Sequence, residues 1–405
     1  MGTNIRSAAD VFNQYFTERN RIRMGRFFFD LALVVELVLM IIEKSELTFS
    51  MESHVFRITF LVTLLAVLVR QHSKKEWFII LAVWVFTFIC YRISGRNELL
   101  RFATFAMAAR DIDLKKAIRF SFDVSLAGFS IIALLSLTGL LGSVSNVMDY
   151  GRESTTELRY VLGFGHPNTL YGCAFALMLM WLWIYGREAH LWQYITLLAV
   201  NVVLYFLTLS RTCLMIGVMT MVLALAVRYI KPLKNFVFPY ILAILVTPIA
   251  CAGFSTWAST AGHIPRYIWD TKYDFFVWRL DEFLNNRIQY LYRANEKHAG
   301  SLFTWKLFSD RESFEYFDMG WVRLFYWYGI IPAILVCILI AVFIYVCGRK
   351  KDLMTVALLV SLSVYTVIEA TFVSVYIGRN FFLPIFGVYM WALIRGDLSK
   401  NTTLP

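Results

Sequence analysis

Long apolar runs dominate the chain, and short polar segments separate them. The runs cover roughly residues 27–43, 55–69, 77–91, 99–110, 117–140, 161–185, 190–209, 212–227, 235–253, 321–347, 353–374 and 377–394. There is more apolar chain here than one water-facing surface could hide, and a lipid bilayer is the solvent that tolerates it. The pattern predicts an all-α, polytopic integral membrane protein of about twelve transmembrane helices, the short run at 99–110 being the weakest. It divides the chain into a basic N-terminal segment (1–26), a first block of spans (27–253), one large extracytoplasmic loop (254–320), a second block (321–394) and a tail (395–405). Within 1–26, Val11, Phe12, Tyr15 and Phe16 share a helical face ahead of several arginines. That segment reads either as an interfacial helix or as a disordered basic tail. In the large loop, Phe276, Leu280, Phe283, Ile288 and Leu291 have helical spacing, which predicts an amphipathic helix packed on the bundle.

Composition agrees. The 405 residues are 59% hydrophobic and 17% charged, against about 25% charged for soluble domains. This excludes a disordered chain, a basic nucleic-acid-binding domain and an ordinary soluble enzyme. The net charge of +11 therefore reads as the positive-inside rule plus attraction to anionic headgroups. Lys and Arg concentrate in alternate connections: Arg19 to Arg26, Arg70 to Lys75, Arg110 to Lys116, Arg187, Arg228 to Lys234, Arg349 to Lys351, and Arg395 with Lys400. The expected orientation puts both termini in the cytoplasm, in the cytoplasmic membrane. No cleavable signal peptide is read, because the first apolar run follows a polar segment and leads into another span. The six cysteines lie in or beside apolar runs with no C-x-x-C pair, and read as small buried hydrophobes.

Polar residues at the predicted outer ends of spans need a reason, since a charge at membrane depth costs roughly 2.5–3.5 kcal/mol on insertion scales. Arg159 precedes the sequence Gly163–Phe–Gly–His166–Pro167–Asn168, which opens a long apolar run. A proline-started helix offers N–H groups and a positive dipole end to an anion, and the glycines would let backbone approach a ligand. A cap with an incidental histidine is the plainer alternative. Ser210–Arg211–Thr212 makes a sharp outward turn, with Arg211 either reaching headgroups or forking onto a phosphate. Arg279 and Arg287 lie two helical turns apart in the loop, near Asn285 and Asn286. Asp318 precedes the next run, where it could simply cap a helix, and Glu369 falls inside the run 353–374. The loop's many Trp and Tyr residues suit an interfacial anchor and a binding surface equally. Asp111–Ile–Asp113 has the form of a metal-nucleotide signature, but on so short a cytoplasmic loop it reads as a helix cap.

Taken in order, GFGHPNTL (Gly163–Leu170), LSRT (Leu209–Thr212), LNNRI (Leu284–Ile288) and Asp318 followed by Tyr328–Gly329–Ile330–Ile331 resemble oligosaccharide repeat-unit polymerases of the Wzy type. The likeness is to those of Gram-positive capsule and exopolysaccharide systems, within a superfamily that includes O-antigen ligases, and it spans roughly residues 95–395. Two departures stand out. Met319 occupies a position where such proteins often carry Asn. The loop histidines, His263 and His298, lack the setting found in ligases. The resemblance implies an inverting, metal-independent C-type glycosyltransferase with no cofactor. Its donor would be a glycan on undecaprenyl diphosphate and its acceptor a hydroxyl of another lipid-linked unit. Its partners would be membrane lipids, a chain-length regulator and a flippase, and no nucleic acid. On that reading Arg211 and Arg287 clamp the diphosphate with Arg159 assisting, Arg279 joins the substrate-binding set, and Asn168 orients an oxygen. His166, or failing it Asp318, is the base. A polymer ligase shares this chemistry. A transporter or flippase of lipid-linked sugars would instead place its polar residues near mid-membrane in repeated halves, and no such pairing is seen.

Overall fold

A computed structural model of the protein describes residues 17–148, 156–264, 271–293, 297–370 and 379–398. The chain is overwhelmingly helical. Helices α1 (Glu18–Glu43), α2 (Glu52–Leu68), α3 (Lys74–Ser94), α4 (Glu98–Ala108) and α5 (Leu114–Leu137) come first. A small antiparallel pair follows, β1 (Ser145–Met148) with β2 (Glu157–Tyr160), registered Asn146 against Arg159. Then come α6 (Pro167–Tyr185), α7 (Leu191–Thr208), α8 (Arg211–Tyr229) and α9, a continuous helix over Phe238–Ala261 with a π turn at Leu245–Ala250 around Pro248. Two short helices lie in the long connection, α10 (Lys272–Phe283) and α11 (Arg287–Arg293). The chain ends with α12 (Gly320–Tyr328), α13 (Ile330–Arg349), α14 (Leu353–Ile368) and α15 (Arg379–Arg395).

Among the described residues, seven helices (α3, α5, α6, α7, α8, α9 and α13) are long and apolar enough to cross a bilayer. The protein is thus a membrane-embedded helical bundle. Most of these helices bury only one face and turn Leu, Ile, Val and Phe outward, as lipid-facing helices do. Helices α6 and α14 differ, because nearly every turn of each is enclosed. They meet through Trp183 Nε1, which donates to Thr355 Oγ1 at 3.0 Å, and through the edge-on rings of Phe175 and Tyr365 at 5.2 Å. The molecule is built around this central pair.

Several boundaries differ from the hydropathy reading, each for a local reason. The run at 161–185 becomes helical only at Pro167. At 99–110 only eleven residues are helical, about 16 Å of rise, well short of a bilayer. Helix α9 continues to Ala261, past the expected loop boundary at 254. The run at 321–347 is two helices, parted at Gly329, whose φ of 101° and ψ of 166° only glycine adopts readily. The returning segment crosses there: a Cβ on Gly329 would lie 2.7 Å from Leu307 O, Phe308 Cα and Ser309 N. The first N–H groups of α13 donate to Lys306 O at 2.9 Å and Leu307 O at 3.1 Å. The amphipathic helix expected over 276–291 is likewise two, α10 and α11. At the N-terminus the arginines from Arg19 to Arg26 belong to α1, which Thr17 caps and which runs unbroken into the first apolar run. Val11, Phe12, Tyr15 and Phe16 lie outside the described residues.

The polar side chains sort into two ends of the bundle. At one end Arg26 reaches Asp111 O at 2.7 Å, Arg110 reaches Gln71 O at 2.8 Å, Arg395 pairs with Asp111 at 2.7 Å, and Arg187 pairs with Asp352 at 2.6 Å. Asp113 caps α5 by accepting from Lys116 N–H at 3.1 Å, and Asp111 also pairs with Arg110 at 3.1 Å, so the Asp-Ile-Asp pair is structural. At the other end Glu46 accepts from Ser143 N–H at 2.7 Å and Arg96 donates to Ser313 O at 2.9 Å.

Candidate functional site

The second end carries the site, and its residues are placed by the local fold. Gly163 and Gly165 have φ of 79° and 72°. The turn they form packs on Ile132 and Ser136 of α5, and Gly163 O accepts from Glu46 N–H at 3.0 Å. They shape the entry to α6. The expected anion cradle at this helix start changes. Asn168 N–H donates to His166 Nδ1 at 3.2 Å, and the N–H groups of Thr169 and Leu170 donate to His166 O at 3.1 and 3.2 Å. Pro167 has no N–H. The first turn of α6 therefore holds no vacant donor row.

The side chains do converge. Asn168 Nδ2 donates to Glu369 Oε1 at 2.8 Å, and Asn168 Oδ1 accepts from Ser210 Oγ at 2.8 Å. Arg287 Nη2 donates to the same Glu369 oxygen at 2.7 Å, while its Nε lies 3.5 Å from Asp318 Oδ2. One carboxylate at the end of α14 thus joins the start of α6, the turn before α8 and the start of α11, with Asp318 at the rim. The long connection delivers Arg287 by a tight device. Asn285 and Asn286 take φ of 59° and 61°, a left-handed region that asparagine tolerates better than most residues. Buried Asp281 then accepts from Ile288 N–H at 2.7 Å and Gln289 N–H at 3.3 Å, capping α11 and turning Arg287 inward. Arg287 is only 7% exposed, so its charge must be matched. Burial works against that charge, but Glu369 and Asp318 outweigh it and hold the guanidinium's pKa above its ordinary value.

His166 has a fixed chemistry. Because Nδ1 accepts a backbone N–H, the neutral ring carries its proton on Nε2. Burial pushes its pKa below the ordinary value; Asp318 opposes that, and Arg287 and Arg159 add to it. The ring therefore presents an Nε2–H donor, suited to holding an oxygen and poorly suited to removing a proton. Asp318, half-exposed and held only at its edge by Arg287, is the better-placed acceptor of a proton.

The other sequence candidates divide. Arg159 is buried on β2 and paired with Glu157 at 2.5 Å, close enough to His166 to act on its charge. Arg211 begins α8 beside Ser210; it is exposed and, among the described residues, makes no hydrogen bond or ion pair. Arg279 lies outside the constellation, exposed on α10 and paired with Glu282 at 3.3 Å. His263 and His298 are outside it as well: both meet Tyr292, His263 edge-on at 6.0 Å and His298 stacked at 3.8 Å. Glu369 and Ser210 are the residues whose part sequence reasoning underweighted. Glu369 was visible as a lone carboxylate in an apolar run, whereas Ser210 was overshadowed by the arginine beside it.

Arg287 faces two carboxylates and Arg159 faces one, which leaves Arg211 as the exposed, unmatched guanidinium of the three. The arrangement can receive an anion at Arg211, orient an oxygen with His166 and Asn168, and accept a proton at Asp318. Compared with family models, with curated proteins and with solved structures, the chain matches none.

Proposed function

We propose that the protein is a glycosyltransferase that polymerises lipid-linked oligosaccharide repeat units at the outer face of the cytoplasmic membrane. In this reading the bundle has about twelve spans, with the long connection outside. The end holding Arg26, Arg110, Arg187, Arg228 and Arg395 faces the cytoplasm, in line with the positive-inside rule. The observation that carries the proposal is Arg287, buried in an outer connection and fastened to Glu369 at the end of α14, which Asn168 at the start of α6 holds as well. An ion pair largely withdrawn from water is expensive to maintain without a use.

The donor is a glycan on undecaprenyl diphosphate. Arg211 meets the diphosphate first, because its charge is unspent. Arg287 joins as its looser contact, the one to Asp318, gives way. The two guanidiniums stabilise the departing diphosphate without a metal. Asp318, released, takes the proton of the acceptor hydroxyl as that oxygen attacks the anomeric carbon from the opposite side, and the configuration inverts. His166 Nε2–H and Asn168 hold oxygens of the substrate. A ligase would use the same steps with a different acceptor. Deleting the gene and sizing the glycans tests the proposal. Single lipid-linked repeats are expected to accumulate; full-length polymer retained on lipid would mean a ligase, and internal accumulation a flippase.

A further inference from the structure

The chain leading to Asp318, residues 313–317, forms neither helix nor ladder. Such a segment would ordinarily leave its carbonyls to water, and it would hold Asp318 poorly. Here three side chains from elsewhere take its carbonyls in alternation. Arg96 Nη2 donates to Ser313 O at 2.9 Å. Trp327 Nε1 donates to Glu315 O at 2.8 Å. Arg323 donates twice to Phe317 O, from Nε at 2.9 Å and Nη2 at 2.5 Å. A spacing of two residues is the repeat of an extended chain, so the donors grip one edge of it.

The donors are themselves locked together. The Arg323 guanidinium lies 3.5 Å from the Tyr316 ring centroid and 4.6 Å from that of Trp327, and the Arg96 guanidinium lies 3.9 Å from Trp327. Cations over aromatic faces gain more when shielded from water, and Arg323 is fully buried. Among the described residues Arg323 Nη1 has no hydrogen-bond partner. A buried guanidinium committed to a single carbonyl is a poor choice for stability alone, since an unmet donor costs about 1–3 kcal/mol.

We infer that Arg323, Trp327 and Arg96 form a clamp that sets the position of Asp318 against Arg287, acting as positioning residues for the chemistry. Arg323 grips the peptide carbonyl immediately before Asp318, and the clamp bridges the α3–α4 connection to α12. The functional half of this inference rests on the proposed glycosyl transfer, whereas the mechanical half does not.

Trp327→Phe is the gentlest test, because it keeps a ring under both guanidiniums and removes one donor. In purified protein in nanodiscs, hydrogen exchange at residues 313–318 is expected to rise roughly tenfold, the worth of one hydrogen bond, with α13 and α14 unchanged. With the lipid-linked oligosaccharide extracted from cells lacking this gene as substrate, turnover per folded molecule is expected to fall by about as much at unchanged KM. Arg323→Lys, keeping one donor, should fall between the wild type and Arg323→Met in both readouts. Unchanged exchange at 313–318 overturns the inference whatever the glycan result, and so does raised exchange with unaltered turnover. Arg287→Ala on the same substrate separates the two ideas: wild-type turnover in that variant removes the proposed function and leaves the exchange result standing.

Discussion

His166 shows how much a residue's setting adds to its type. Sequence invites a general base, but the backbone N–H of Asn168 occupies Nδ1 and fixes the tautomer. Its pKa is depressed by burial and by Arg287 and Arg159 against the pull of Asp318. The folded state then binds less proton than the unfolded chain, so the stability from this residue is complete above its ordinary value of about 6.5 and is lost as pH falls through the lowered one. His166→Asn keeps a capping acceptor. It is expected to hold the wild-type melting temperature near neutrality and to flatten its fall on the acid side; melting scans across that range are the check. Arg287→Ala should be harsher, because it leaves the mostly enclosed Glu369 without its cation, a loss of about 3 kcal/mol, visible as reduced monodisperse protein in detergent. Arg211→Ala removes no hydrogen bond or ion pair among the described residues, so it is expected to leave folding intact and to abolish polymer, as judged by glycan sizing. A folded Arg211→Ala variant making polymer of normal length would remove that residue from the site.

At the level of elements, Gly329 decides more than hydropathy could show. The run from 321 to 347 is apolar throughout, so nothing in its periodicity announces a break. The break exists because residues 306–309 pass through the notch that a missing Cβ leaves, and because two carbonyls of that segment satisfy the opening N–H groups of α13. Gly329→Ala combines a φ of 101° with three backbone contacts of 2.7 Å, and is expected to cost about 3 kcal/mol or more. Size-exclusion profiles and melting temperatures would reveal it; a well-folded alanine variant would contradict the crossing. The helices themselves were legible from the length and apolarity of their runs. The hairpin of β1 and β2 was not, because its strands are four residues each and lie beside an apolar run. Nor was the splitting of the loop helix, which hangs on two asparagines in left-handed geometry. In the site, the clustering of Asn168 with Arg287 was anticipated only as shared chemistry. The bond from Ser210 and the central place of Glu369 depend on how α6, α8 and α14 pack, which no local pattern encodes.

For the whole molecule, the two-ended sorting of polar contacts makes orientation testable. A reporter enzyme active only outside the cytoplasm, fused after Ser301, should be active, and one fused after Lys116 should be silent; the reverse pattern would invert the assignment. Chelators are expected to leave glycan synthesis unchanged, and a divalent-ion requirement would overturn leaving-group stabilisation by arginine alone.

The two helices that lead to Asn168 and Glu369, α6 and α14, are largely enclosed, wrapped by others that turn apolar side chains outward. Stretching or thinning a bilayer acts on whatever touches it, and the outer helices can absorb that by tilting. The spacing of the candidate site's side chains is thereby insulated from the thickness of the membrane around it. A cell that remodels its acyl chains with temperature could do so without retuning this protein.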